Sequence, residues 1–456
     1  MTKYDLAIIG SGPGGYIAAI YASRHKLKTC VIEKDLIGGT CLNRGCIPTK
    51  SLLASASVLS TIKESRLHGI ETGACKVDFS RMVSRKDEIV KRLRTGVETL
   101  FRANSIALVK GAAAIDSPDT LKVDGAGEIS AKNIIIASGA KPAAPANVKF
   151  DGHDILSSDD ILDIRSIPKS LVIIGGGVIG CEFAGLYNSL GSRVAIIEYT
   201  DRLIPAQSRE VSKKLELSFR RRGIDIFTSS AVESIAKRPG SLMITLSGAR
   251  PLETEKILVS VGRTPVTGSI GDLAALGIET ITGRIVVDEY LRTHLKNIYA
   301  IGDCIDGPLL AHKASYDGVI AVDNILGKMR RPDYSNVPSC IWTEPQIASV
   351  GMREEDAKAA FPDVKIAKFP YLGCGKAALM GQGEGFAKVI GDPRGRILGL
   401  EIFGAGACEL IAEGVLARTA DLGIEEWSRV VHGHPTLSEI WQEAARAFCD
   451  IPIHGV

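Results

Sequence analysis

The sequence predicts an α/β protein with two parallel-sheet βαβ units in one chain and an α+β region at the C-terminus, and three observations carry that expectation. First, residues 6–15 read LAIIGSGPGG and residues 171–180 read LVIIGGGVIG. Each is a short apolar run, as a strand buried on both faces requires, passing into a glycine-rich turn. Second, a helical stretch follows each turn, Tyr16–His25 in one copy and Cys181–Leu190 in the other. Each copy then closes on a β-rich run ending in an acid, CVIEK at Glu33 and AIIEY at Glu198, and both acids lie 23 residues beyond the first glycine, Gly10 or Gly175. Third, from about Tyr334 the pattern becomes an antiparallel-looking mixture of strands and helices.

The glycine turns say what the two units hold. In Gly10-x-Gly12-x-x-Gly15 and in Gly175-x-Gly177-x-x-Gly180, the first glycine permits a tight turn. The second lets backbone approach a pyrophosphate, and the third lets the helix pack closely on the sheet. The pyrophosphate then rests on a helix N-terminus, whose N–H groups have no partner within the helix. Both units are therefore Rossmann-like dinucleotide-binding folds. Glu33 and Glu198 are placed to accept hydrogen bonds from an adenosine ribose. A carboxylate at Glu198 repels a 2′-phosphate, so the second unit is expected to take NAD rather than NADP. Arg202, close by, reads as a surface cation.

A chain of 456 residues is too long for one core, so several domains are expected. Asp78–Asn104 is charged with helical period, and Ala107–Ile136 reads as short strands and turns. Ala140–Ala146, with Pro142 and Pro145, reads as a crossover, and 256–265 (KILVSVGRTP) as the return crossing. Residues 285–303 close on a strand ending at Asp303. The expected division is 1–143 and 265–333 for the first nucleotide-binding domain, 144–264 for the second, and 334–456 for the last.

Composition narrows the function classes. The net charge of +3, with 45% hydrophobic and 23% charged residues, describes a soluble globular protein and makes no case for nucleic acid or anionic membrane as a partner. The N-terminus lacks the pattern of a signal peptide, and no apolar stretch approaches the roughly 20 residues that span a bilayer. A soluble, cytoplasmic protein is expected. Ten cysteines are scattered along the chain, and only Cys41 and Cys46 are tightly spaced. In a reducing compartment such a pair reads as redox-active rather than structural. The other eight, among them Cys30, Cys181 and Cys340, read as small core residues.

The segment 38–50, GGTCLNRGCIPTK, is the most specific signal. A helix starting near Cys46 would lower the thiol pKa there, and Lys50 follows one turn later. Near the C-terminus, His432-Gly-His434 lacks the further Cys or His ligands of a metal site, so no metal is expected. Glu439, at the start of a helical stretch (PTLSEIWQEAARAF), could instead hold one imidazole nitrogen of His434 and leave the other free as a base.

On these residues the chain resembles the pyridine nucleotide–disulfide oxidoreductase family over essentially its whole length, from the first glycine turn to HGHPTLSE at 432–439. The wording TCLNRGCIPTK is that of the branch oxidising dihydrolipoyl groups; glutathione and mercuric reductases typically carry a valine-rich version. Thr49 stands where serine is commoner and Gly433 where alanine is, and neither removes a chemical group. The resemblance implies FAD on the first unit, NAD on the second and a C-terminal dimerisation domain. It implies catalytic roles for Cys41, Cys46, His434 and Glu439, with the His–Glu pair donated by the partner of a homodimer. It places Lys50 beside the flavin, paired with Glu182, and Asp303 on the ribityl chain. Leu309, Leu310, Ala311 and His312 would run along the flavin ring, Ser138 and Gly139 on the adenine side, and Ala113 would make a backbone contact. Val232 and Gly262 would touch NAD. The implied partner is a lipoyl-bearing acyltransferase or H-protein of a 2-oxo acid dehydrogenase or glycine cleavage complex. Two other readings stay open: an NAD(P)H-dependent reductase of another small disulfide, and a flavin-bearing scaffold without turnover.

Overall fold

The computed structural model describes residues 2–455. The first sheet has seven strands. Along it lie Ala107–Lys110, Thr29–Glu33, Thr2–Ile9, Gly127–Ile136, Thr120–Val123 and Ala113–Ser117, with Ile298–Ala300 also paired to Gly127–Ile136. The strands around Thr2–Ile9 are parallel and in register at their C-terminal ends, where Ile9 faces Ile32 and Ile136, and Ile136 faces Ala300. Leu6, Ala7 and Ile8 are fully buried, which explains an unbroken apolar run rather than an alternating one. The shared register brings the turns after Ile9, Ile32, Ile136 and Ala300 together at one edge.

The second sheet repeats the design, with the order Asp225–Phe227, Arg193–Ile197, Ser170–Ile174, Lys256–Val259 and Ile155–Leu156. Ile174 faces both Ile197 and Val259, so the turns that follow these three strands also converge. An antiparallel three-stranded sheet, Val232–Arg238, Ser241–Leu246 and Ala249–Thr254, lies between the parallel strands in sequence. The return crossing is shorter than 256–265. Lys256–Val259 is an inner strand, because Ile257, Leu258 and Val259 need both faces covered. Only Arg263–Pro265 crosses, pairing antiparallel with Ala140–Pro142.

The helices after the glycine turns start earlier than the sequence suggests, at Pro13 rather than Tyr16 and at Val178 rather than Cys181. Gly12 and Gly177 are their extended N-caps, and Pro13 at the first helical position has no N–H to leave unpaired. Helix Pro13–Arg24 packs on Ala311–Ile325 at a glycine contact. A Cβ on Gly318 would meet the Gly14 carbonyl at 2.6 Å, so the two helices approach more closely than larger residues allow.

The C-terminal region is a five-stranded antiparallel sheet in the order Ser339–Ile341, Gln346–Gly351, Ile397–Gly404, Phe386–Gly391 and Lys365–Pro370. Helices Ala407–Thr419 and Glu439–Phe448 pack against it, around the buried pair Trp427 and Trp441 with ring centroids 5.4 Å apart. This sheet is fastened to the second unit through charge. Lys388 is fully buried and meets Glu210 and Glu354 at 2.7 Å each and Glu401 at 3.0 Å; Ser208 also donates to Glu401 at 2.9 Å. Among the described residues no helix is long and apolar enough to cross a membrane.

Candidate active site

The converging turns of both units open into one cavity of about 1680 Å³. From the first unit it is lined by Gly10, Gly12 and Glu33, by Ala113, by Ser138 and Gly139, by Asp303, and by Leu309, Leu310, Ala311 and His312. From the second come Gly175, Gly177, Glu182, Glu198, Val232 and Gly262. Cys41, Cys46 and Lys50 lie on the same wall system. The third glycines, Gly15 and Gly180, do not line it. A Cβ on either would stand 2.0 Å from the carbonyl oxygen of Gly10 or Gly175, so they hold the helix against its own turn.

The two acids brace their turns in the same way. Glu33 accepts from the Ser11 N–H at 2.9 Å and the Ser11 hydroxyl at 2.6 Å, and from the Asp35 N–H at 2.9 Å. Glu198 accepts from the Gly176 N–H at 2.6 Å and from the Thr200 N–H and hydroxyl at 2.7 Å each. Arg202 is not the surface cation expected of it. Its side chain is 19% exposed and bonds Asp201 and the Pro205 carbonyl, because the chain folds back over it after Glu198.

Cys41 lies in the short helix Gly39–Arg44 and Cys46 opens the helix Cys46–Glu64. Gly45 between them breaks the first helix, and a Cβ there would come within 3.3 Å of the Cys41 Cα, so the turn is tight enough to fold one sulfur onto the other. Both are free thiols in this structure. They are polarised in opposite senses. The Cys41 S–H donates to Cys46, and with help from Lys50 and the helix start this outweighs burial and lowers the Cys46 thiol to about 7. The same bond, together with burial, holds the Cys41 thiol far above its ordinary value. A lone anionic sulfur at a helix start, backed by a protonated neighbour, is the arrangement a charge-donating thiolate needs.

Lys50 Nζ lies 2.8 and 2.7 Å from the two oxygens of Glu182, which is buried on helix Val178–Ser189 of the second unit. Glu182 also accepts from the Trp342 N–H at 2.9 Å, so all three parts of the fold meet at one carboxylate. Sequence reading missed Trp342, just after the strand Ser339–Ile341, since nothing local distinguishes a backbone donor, and it read the cavity residue Cys340 as core. It also erred on the cysteines. Cys75 is exposed, and Cys340 and Cys408 are only half-buried neighbours, with Cys340 Sγ 3.9 Å from the Cys408 carbonyl.

His434 and Glu439 stand apart from the cavity. His434 Nδ1 is 2.9 Å from Glu439 Oε1, whose other oxygen accepts from the Thr436 N–H at 2.8 Å. The ring is thereby oriented with Nε2 free, yet its side chain is 79% exposed. The neighbouring Val430 and Val431 are exposed as well. His434 is not among the described residues that line the cavity of its own chain.

The residues present suit two dinucleotides. Each glycine turn leaves no room for a Cβ on its first glycine, 2.5 Å from the facing carbonyl, and each presents a helix N-terminus to the cavity. On the first-unit side, Asn43 Oδ1 is buried without a hydrogen-bond partner, and burial drives the Asp303 carboxyl above its usual range. Both await polar groups such as those of a ribityl chain or ribose.

Fold and site together define a dithiol oxidoreductase that couples a cysteine pair to two nucleotide-binding units. Residues 4–318 match the pyridine nucleotide-disulphide oxidoreductase family and residues 337–445 match its dimerisation domain; the chain belongs to this family. It is 42% identical to a dihydrolipoyl dehydrogenase of Chlamydia pneumoniae over 99% of this chain and 98% of that one. It is 40% identical to dihydrolipoyl dehydrogenase 1, mitochondrial, of Arabidopsis thaliana over 99% of this chain and 91% of that one. Among solved structures, LpdA of Mycobacterium tuberculosis superposes with a TM-score of 0.91 at 26% identity, covering 98% of this chain and 99% of that one. The family's cofactors are FAD and a pyridine nucleotide, NAD in its dihydrolipoyl dehydrogenases, and its dimerisation domain makes the chain a homodimer.

Proposed function

We propose that this protein oxidises protein-bound dihydrolipoyl groups to lipoyl disulfide with NAD⁺ as acceptor. It would serve as the dehydrogenase subunit of a 2-oxo acid dehydrogenase or glycine cleavage complex, meeting the lipoyl arm of an acyltransferase or H-protein. The observation that carries this reading is the oppositely polarised Cys41–Cys46 pair in a cavity shared by both nucleotide-binding units. The domain division that goes with it is 1–143 and 265–333 for FAD, 144–264 for NAD and 334–456 for dimer contact.

In this reading the cycle starts from the Cys41–Cys46 disulfide. His434 of a second copy, held through Nδ1 by Glu439, takes the proton of a substrate thiol at Nε2. The resulting thiolate attacks Cys41, forming a mixed disulfide and expelling Cys46 as a thiolate. A thiol of pKa about 7 is a good leaving group near neutral pH. The second substrate thiolate closes the lipoyl ring and releases Cys41, so the pair has gained two electrons and the substrate has lost two. Bound FAD supplies the two-electron step between a thiolate and NAD⁺. Lys50, fixed by Glu182, keeps a positive charge beside Cys46, while Glu198 selects a free ribose 2′-hydroxyl and so favours NAD over NADP.

Replacing His434 with glutamine tests the reading. Flavin reduction by NADH should be retained, while dihydrolipoamide oxidation should fall by about 100-fold or more, as expected for loss of a positioned base. Equal loss of both half-reactions overturns the assignment. Glu198 disfavours the reading as an NADPH-dependent disulfide reductase.

A further inference from the structure

Sequence spacing hides a second cysteine pair. Cys340 lies on strand Ser339–Ile341 and Cys408 is the second residue of helix Ala407–Thr419, 68 positions later. The helix packs on this strand and its neighbour so that Cys408 Sγ lies 3.5 Å from the Ile341 carbonyl and Cys340 Sγ lies 3.9 Å from the Cys408 carbonyl. Gln346 fixes the helix start by accepting from the Cys408 N–H at 3.1 Å. The two thiols are near enough to shift each other's acidity in opposite senses, as the Cys41 and Cys46 thiols do. Cys340 also faces the central cavity, two residues before the Trp342 N–H that bonds Glu182. Cys340 therefore stands on the wall beside the Lys50–Glu182 ion pair with Cys408 next to it, and the proposed turnover makes no use of either. By contrast, Cys30, Cys181 and Cys304 are fully buried.

We propose that Cys340 and Cys408 form a second redox-active dithiol, oxidised by a hydroperoxide entering the cavity to an intramolecular disulfide that braces the wall beside Glu182. The Cys340 thiolate attacks one peroxide oxygen, the O–O bond breaks, and Cys340 becomes a sulfenic acid as the departing oxygen leaves as water or alcohol. Cys408 then attacks the sulfenic sulfur, the S–S bond forms, and the hydroxyl leaves as a second water. Two electrons pass from the two sulfurs to the peroxide oxygens, and both thiol protons end on the products. The order of attack follows from the opposite effects the two neighbouring thiols have on each other. The neighbouring Cys408 thiol lowers the Cys340 thiol despite burial, and Cys340 together with burial holds the Cys408 thiol far above its ordinary value. Once Cys340 is a neutral sulfenic acid that restraint is gone, and Cys408 is free to resolve it. A small dithiol reverses the reaction by returning two electrons.

The test uses the FAD-loaded dimer, isolated with Cys41–Cys46 oxidised and treated with hydrogen peroxide. Peptide mapping should find a Cys340–Cys408 linked peptide that dithiothreitol removes. In Cys408→Ser, whose hydroxyl can still donate to the Ile341 carbonyl, the linked peptide should be absent. Dimedone labelling of Cys340 should then rise about tenfold, because the sulfenic acid has no resolving thiol. These masses do not depend on which dithiol the enzyme turns over, so failure here is separate from failure of the proposed activity. Absence of the linked peptide from peroxide-treated wild-type protein, or equal dimedone labelling of wild type and C408S, overturns the proposal.

Discussion

Cys41→Ala isolates what makes Cys46 anionic. The largest influence lowering the Cys46 thiol to about 7 is the Cys41 S–H, with Lys50 and the helix start adding to it and burial opposing. At pH 7.5 a thiol of that pKa is about three-quarters ionised; returned to about 9 it is about 3% ionised, a fall of roughly 25-fold. The ionised form grows as pH rises through the pKa, so the loss is greatest below pH 8 and disappears above about pH 10. Cys41→Ser keeps a donor of nearly the same reach and should keep most of the effect. The assay is alkylation of Cys46 by iodoacetamide in the anaerobically reduced, FAD-loaded dimer, followed by peptide mass as a function of pH. Midpoints near 7 are expected for wild type and C41S, and above about 8.5 for C41A. A C41A midpoint that stayed near 7 would refute the argument and shift the credit to Lys50 and the helix start.

Three further outcomes follow from the packing. Gly180→Ala puts a Cβ 2.0 Å from the Gly175 carbonyl and 2.9 Å from Ser260 Oγ; flavin content should be normal while NAD⁺ affinity, measured by calorimetry, weakens by about 1–3 kcal/mol. Glu198→Ala frees the Gly176 N–H and removes the negative charge beside the ribose site, so the NADH-over-NADPH preference in kcat/KM should shrink by about 10- to 100-fold. Lys388→Met leaves Glu210, Glu354 and Glu401 facing one another without their shared cation; denaturant unfolding should show a loss of about 3–5 kcal/mol, with Cys46 reactivity in the folded protein unchanged.

The sequence by itself determined whatever depends on neighbours along the chain. The two glycine turns, the buried strands before them, the acids after them and the Cys41–Cys46–Lys50 segment are local, because turn geometry, strand burial and a helix start each need only a few consecutive residues. Reading them was enough to place two nucleotide sites and a redox pair. It missed by a few residues where a cap decides, as at Pro13, and where burial decides, as at Lys256–Val259. Tertiary structure alone decided what the distant parts do to each other. In-register strand ends join both units in one cavity, Lys50 finds Glu182 from 132 positions away, and the Trp342 N–H adds the C-terminal sheet to the same carboxylate. The same packing sets Cys408 against Cys340 and leaves His434 exposed, outside the lining of the cavity that holds Cys41 and Cys46. No local pattern encodes such meetings, because they depend on how whole sheets and helices stack once their apolar faces are covered.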